Sequence, residues 1–258
     1  MKVNLHTHTF RCRHATGTPE EYIKRAIENG IEVLGFSEHA PFLFPNDFQS
    51  GYRLRFEEAQ EYFAELNALR ENYKYKLTIY IGFEMEYYPL YFKDMLETVK
   101  SLGAEYLILG QHAIKNEYPN GKYTTGQYKT TAEELTEYVD CIVEGIKSGV
   151  FTYVCHPDNI SSDCDMQHYN AEMTRLCEAA KQYDLPLEIN FYGIRDHRRY
   201  PDERFWEIAG KVGCKVVYGF DSHDVLSAFD GDSISTADEL VKKYNLNLVE
   251  NPKINKLS

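Results

Sequence analysis

The chain has 258 residues, with 28 Lys or Arg against 40 Asp or Glu and a formal net charge of −12. That length supports one large domain or two small ones around a core needing no disulfide staples. With 43% hydrophobic and 26% charged residues, the composition excludes a wholly disordered or collagen-like chain. Apolar runs such as VLGF and YLILG are far too short to cross a bilayer, so no membrane partner is expected. The acidic balance disfavours a nucleic-acid backbone as partner, since that role needs a basic face, but it allows a small anion held by local charge. The opening MKVNLHTHTF shows no charged region followed by an apolar stretch and a cleavage site, so a cytoplasmic location is expected. Cys12, Cys141, Cys155, Cys164, Cys177 and Cys214 lack paired spacing and read as thiols.

In chain order, β-rich runs predict strands at 2–6, 32–36, 77–83, 105–110, 151–155, 186–190 and 215–220. Between them, helices are predicted near 19–29, 55–72, 89–101, 132–147, 169–183, 202–211 and 235–244. The first is well marked: Thr18-Pro19-Glu20-Glu21 places a cap, a first-turn proline and two acids before Tyr22, Ile23, Ala26 and Ile27 at helical spacing. Seven strand–helix repeats demand a parallel sheet with right-handed crossovers, and their regularity favours closure into a TIM-like barrel. No Pro/Gly/Ser-rich linker interrupts them, so a single domain over 1–258 is expected. The longer connections near 40–54, 115–131 and 158–168 follow strand ends, where an α/β barrel builds its active-site face.

Of nine histidines, seven follow predicted strands or lie in the loops after them. His6 and His8, two apart, share one face if the strand continues through them and can grip one ion. His14 follows in the same loop. His39 ends VLGFSEH, Glu84 ends YIGFE, His112 ends LILGQH, His156 ends TYVCH, and Asp221 with His223 ends VVYGFDSH. A lone histidine after a strand is usually a surface or hydrogen-bonded residue; recurrence at five strand ends points instead to one shared metal site. His168 and His197 lack that placement. Glu38 and Glu86 neighbour candidate ligands and read as supporting or solvated acids. Cys12 and Cys155 read as small packing residues.

These blocks, HTHTFRCRH at 6–14, SEHAP at 37–41, GFEMEY at 82–87, GQHAI at 110–114, CHPD at 155–158 and FDSH at 220–223, resemble in order the polymerase and histidinol phosphatase (PHP) family of metal-dependent phosphoesterases. The early Cys-x-His, the SEHAP block and the late Asn190, Gly193, Arg195 pattern are similar to its stand-alone histidinol-phosphatase branch. The resemblance implies a distorted (β/α)7 barrel with its metal site at the C-terminal ends of the strands. It implies three divalent ions: one on His6, His8, Glu84 and Asp221; a second bridged by Glu84 and completed by His112 and His156; a third on His14, His39 and His223. The mixed N/O donors suit Zn²⁺, Mn²⁺ or Fe²⁺. Glu84, Asp221 and His223 become the catalytic set, with a hydroxide shared by two ions roughly 3.5–4 Å apart attacking phosphorus.

In IRDHRRYP, Arg195 matches the family pattern and is expected, with Asn190, to bind phosphate, whereas Arg198 and Arg199 read as a solvated basic loop. Tyr87, Tyr192 and Tyr200 fall near strand ends. The expected function is hydrolysis of a small phosphate monoester, L-histidinol phosphate foremost. The alternatives are a phosphatase or phosphodiesterase acting on another metabolite or nucleotide, or a metal-binding regulatory domain without turnover. A proofreading exonuclease fits worse, for want of a polymerase module or basic groove. Oligomeric state is not legible.

Overall fold

Thr18 opens the first helix as its sequence predicts, in a reciprocal capping box with Glu21 and with Pro19 in the first turn. The computed structural model, which describes residues 1–124 and 129–257, continues this alternation. Its strands are β1 (Val3–Asn4), β2 (Val33–His39), β3 (Thr78–Met85), β4 (Leu107–Leu109), β5 (Ala113–Ile114), β6 (Lys122–Tyr123), β7 (Leu187–Asn190), β8 (Lys215–Gly219) and β9 (Asn247–Leu248). The helices are α1 (Pro19–Glu28), α2 (Ala59–Tyr73), α3 (Phe92–Ser101), α4 (Ala132–Ser148), α5 (Met166–Gln182), α6 (Phe191–Arg195), α7 (Glu203–Val212) and α8 (Gly231–Tyr244).

The strands form a curled parallel sheet. β1 to β4 pair in sequence, with Leu34 opposite Ile79 and Glu84 opposite Ile108, and β7, β8 and β9 form a second parallel run. Between the runs lies Val154, bridged in parallel to both Leu109 and Leu187. The expected strand at 151–155 is thus reduced to bridges, because Pro186 offers β7 no N–H there and the ladder stays short. At the other edge Thr7 bridges Ser222, and the His8 amide donates to the Ser222 carbonyl at 3.0 Å. Apolar residues fill both faces of the curl. Leu34, Phe36, Ile81 and Phe83 pack outward among the helices, while Val3, Leu5, Tyr106, Ile108, Tyr153 and Val217 form a separate cluster inside. Burial on both faces explains why these strands read as continuous apolar runs.

Other elements also depart from those expected of the sequence. α8 starts four residues early, because Asp230 accepts the Ser233 amide as an N-cap. The five-residue α6, capped by Asn190, is too short to announce itself by periodicity. β5, just before the expected 115–131 connection, and β6, within it, form a hairpin; residues 125–128 of that connection lie outside the described residues.

Candidate metal centre

His39 is the last residue of β2, Glu84 lies at the end of β3, and His112, His156 and Asp221 follow the C-terminal ends of their strands. Parallel register therefore brings these donors to one end of the sheet. Glu84 stands at the centre. Its Oε1 lies 2.9 Å from His156 Nε2 and 3.4 Å from His112 Nε2. Its Oε2 lies 3.1 Å from His39 Nδ1, 3.4 Å from His8 Nε2 and 3.5 Å from His6 Nε2. Asp221 Oδ1 faces His8 Nε2 at 3.2 Å and His6 Nε2 at 3.4 Å. His223 stacks on His8 at 4.3 Å and on His14 at 4.6 Å between ring centroids. The structure thus brings together all nine residues singled out as donors, with His14 exposed and outermost.

Two of these positions hold unusual backbone: His156 at φ 28° and Asp221 at φ 48°. Non-glycine residues in this region carry strain, which clusters at functional sites. Two glycines clear space for the carboxylates. A Cβ at Gly110 would fall 1.8 Å from Glu84 Oε1, and one at Gly219 would fall 1.7 Å from Glu188 Oε1.

Behind the donors stand carboxylates that orient the rings. Glu188 Oε1 pairs with His6 Nδ1 at 2.7 Å, and Glu86 Oε1 with His112 Nδ1 at 2.9 Å. Glu38 Oε1 approaches His8 Nδ1 at 3.4 Å and its Oε2 accepts from the Thr9 amide and hydroxyl. Such partners fix ring orientation and raise ligand basicity, leaving the opposite nitrogen for a cation. The sequence marks Glu38 and Glu86 as neighbours of candidate ligands, but not Glu188. The available signal was an acid in the apolar strand LEIN, two residues before Asn190.

Charge is arranged to suit a cation. Burial alone would raise the Glu84 carboxyl, but His112, His6 and His39 with the His156 hydrogen bond hold it well below the usual range. Asp221 is likewise held down against its burial by His6, His8 and His223. Burial and the neighbouring His8 push His39 and His223 well below the ordinary imidazole value, so both offer lone pairs. His8 moves the other way: against burial, Asp221 and Glu38 raise it to about 9. Protons on such rings balance the carboxylates and would be displaced by metal. The residues also fit metal on geometry. Glu84 Oε2, Asp221 Oδ1, His39 Nδ1 and His223 Nε2 are buried without hydrogen-bond partners among the described residues. Three sets, His6/His8/Asp221, His6/Glu84/His156 and His8/His39/His223, each hold donor atoms within 4.8 Å of one another.

A cavity of about 290 Å³ opens over the cluster, lined by Glu84, Asp221 and five of the histidines together with Tyr52, Tyr123, Asn159, Tyr192, Arg198 and Tyr200. His6 and His8 are buried beneath it. The structure does not bring Arg195 or Asn190 to this cavity. Arg195 Nη1 pairs with Asp230 at 2.8 Å and its Nη2 donates to the Asp221 carbonyl at 3.3 Å, because α6 turns the side chain back toward β8. Asn190 Nδ2 donates to Asp221 Oδ2 and Glu188 Oε2, so it steadies a donor instead. The arginine facing the cavity is Arg198, 3.9 Å above the Tyr192 ring, where the sequence suggested only a solvated loop.

Fold and donors together define an α/β protein built around a histidine–carboxylate cluster suited to divalent metal ions. Residues 4–191 match the PHP domain model, and the chain belongs to that family. It is 32% identical over 254 residues to a probable histidinol-phosphatase of Schizosaccharomyces pombe, covering 86% of this chain and 81% of that one. A probable histidinol-phosphatase of Deinococcus radiodurans is 26% identical over 222 residues, covering 84% and 85%. Among solved structures, histidinol phosphate phosphatase of Lactococcus lactis subsp. lactis, complexed with zinc, L-histidinol and phosphate, superposes with a TM-score of 0.72 at 22% identity, covering 100% of this chain and 99% of that one.

Proposed function

We propose that this chain is a metal-dependent phosphomonoesterase that hydrolyses L-histidinol phosphate to L-histidinol and phosphate. The observation that carries the reading is the convergence of nine donors, seven lining one small cavity and two buried beneath it, in a family whose similar members bear that activity in their names. The reading includes three ions, of zinc, manganese or iron: His6, His8, Glu84 and Asp221 hold one, Glu84, His112 and His156 another, and His14, His39 and His223 the third. It also takes the curled sheet as a distorted (β/α)7 barrel filling a single domain over 1–258.

Bound divalent ions supply acidification of the attacking water and positive charge against the phosphoryl oxygens. The residues do the rest. Glu84 offers one oxygen to each side of the cluster and sets the spacing of the donors. Asp221, steadied by Asn190, and His223 hold the far side. Arg198 donates to phosphoryl oxygens from the rim, a charge-assisted contact that adds orientation as well as energy. The apolar faces of Tyr192 and Tyr200 narrow the opening and limit water. An acidic chain can thus receive an anion, because its charge is reversed locally.

The test is phosphate release from L-histidinol phosphate before chelation, after it, and after reloading with zinc or manganese, beside a panel of other monoesters and nucleotides. Histidinol phosphate should head the panel, with activity lost on chelation and restored by metal. Turnover of a nucleotide or another ester without turnover of histidinol phosphate would overturn the substrate, and activity indifferent to chelation would overturn the metal chemistry.

A further inference from the structure

The two aromatic walls of the cavity differ in electrical character. On one side Arg198 stacks on Tyr192, so that wall already carries a cation. On the other, Tyr52 and Tyr123 meet edge to face with centroids 6.1 Å apart. Tyr52 is boxed in, with the Arg53 guanidinium 4.9 Å from its centroid and His39 edge-on at 4.9 Å. The open ring is that of Tyr123, 38% exposed.

Both hydroxyls are committed to buried acids: Tyr123 donates to Glu117 at 3.3 Å and Tyr52 to Glu86 at 2.9 Å. Burial and Glu117 push the Tyr123 phenol up to about 12, so it remains a donor at physiological pH. Arg53, itself buried, pairs with Glu117 at 2.8 Å and Glu86 at 2.7 Å. Glu86 is shared with His112 at 2.9 Å, so Glu117, held by Arg53 and the two tyrosine hydroxyls, is the acid directly behind Tyr123. An aromatic face whose hydroxyl is spent on a buried carboxylate repels phosphate and attracts a cation.

We propose that Tyr123, backed by Glu117, is the specificity-determining contact for the ammonium group of the substrate, whose phosphoryl end lies over the histidine cluster beside Arg198. The assignment rests on the histidinol-phosphate reading and says which part of that molecule this wall selects. Because the Tyr123 side chain bonds to Glu117 and packs edge to face on Tyr52, its replacement should leave the donors in place.

The experiment compares L-histidinol phosphate with its amine-free analogue, 3-(imidazol-4-yl)propyl phosphate, on the metal-loaded enzyme and its Tyr123→Leu and Tyr123→Phe variants. Tyr123→Leu should lose roughly 5- to 30-fold in kcat/KM on histidinol phosphate, mostly through KM, the range of a desolvated cation–π contact. The analogue should change less than about twofold, since it lacks the ammonium group. Tyr123→Phe, which keeps the ring, should retain most of the preference, and metal content should match wild type. Equal losses on both esters, or none on either, overturn the contact. Wild type that hydrolyses both esters equally well overturns the contact alone; wild type that hydrolyses neither overturns the histidinol-phosphate reading and this contact with it.

Discussion

Glu84 shows how much one side chain does in this cluster. Its two oxygens face different histidines, His112 and His156 on one side and His6, His8 and His39 on the other, so neutralising it disturbs both. We expect Glu84→Gln to lower kcat by at least ~10²-fold, the scale of removing one preorganised electrostatic group. His14→Ala, at the exposed edge, should cost less. Phosphate release at saturating zinc decides between them, and a kcat near wild type for Glu84→Gln would contradict the bridging role. For the arginines we expect the reverse of the order read from the sequence. Arg198→Ala should lose roughly 10- to 150-fold in kcat/KM, as a charge-assisted contact does. Arg195→Ala, whose guanidinium is engaged by Asp230 and backbone carbonyls, should keep KM near wild type and lose stability instead. The nine donors were legible because histidines and acids recurred at strand ends. The cavity-facing arginine was not, since three arginines lie within five residues and only the turn made by α6 decides which of them sees the cavity.

At the scale of elements, strand ends carry the donors and the loops beyond them build the walls. Strand and helix positions were legible from apolar runs and from a cap such as Thr18. The pairing of the loop residue Arg53 with Glu86 at the end of β3 and Glu117 in the β5–β6 hairpin was not, because no periodicity links three separate segments. That pairing also reaches the cluster, since Glu86 holds His112. Removing one partner from a buried ionic network leaves charge uncompensated. Arg53→Met should therefore lower unfolding free energy by about 3–5 kcal/mol. Because Glu86 orients His112, the variant should also bind its metals roughly 10- to 100-fold more weakly. Denaturant melts and metal titration check the two effects separately, and a variant with unchanged metal affinity would confine Arg53 to stability.

For the whole molecule, the same donors tie the two ends of the chain together. His6 and His8 follow β1, Asp221 follows β8, and Asp221 lies within 3.4 Å of both rings. Thr7 and Ser222 bridge the strand ends there, with the His8 amide donating to Ser222 and the Ser222 amide to His6. An ion shared by these side chains would clamp the segment after β1 to the segment after β8 at that bridge. Ions that bind only the folded state add about 2.7 kcal/mol each at a hundredfold excess over Kd, so three would add about 8 kcal/mol. With Tm moving about 2 °C per kcal/mol at this size, exhaustive chelation should lower Tm by roughly 15 °C. The loss should be uneven. Amide exchange at His8 and Ser222 should accelerate on chelation more than exchange in the centre of β2 and β3, whose backbones are paired along their length. A uniform rise in exchange would mean that the ions stabilise the fold as a whole, and a Tm within about 2 °C of the loaded protein, a shift worth only about 1 kcal/mol, would show that the sheet closes without them.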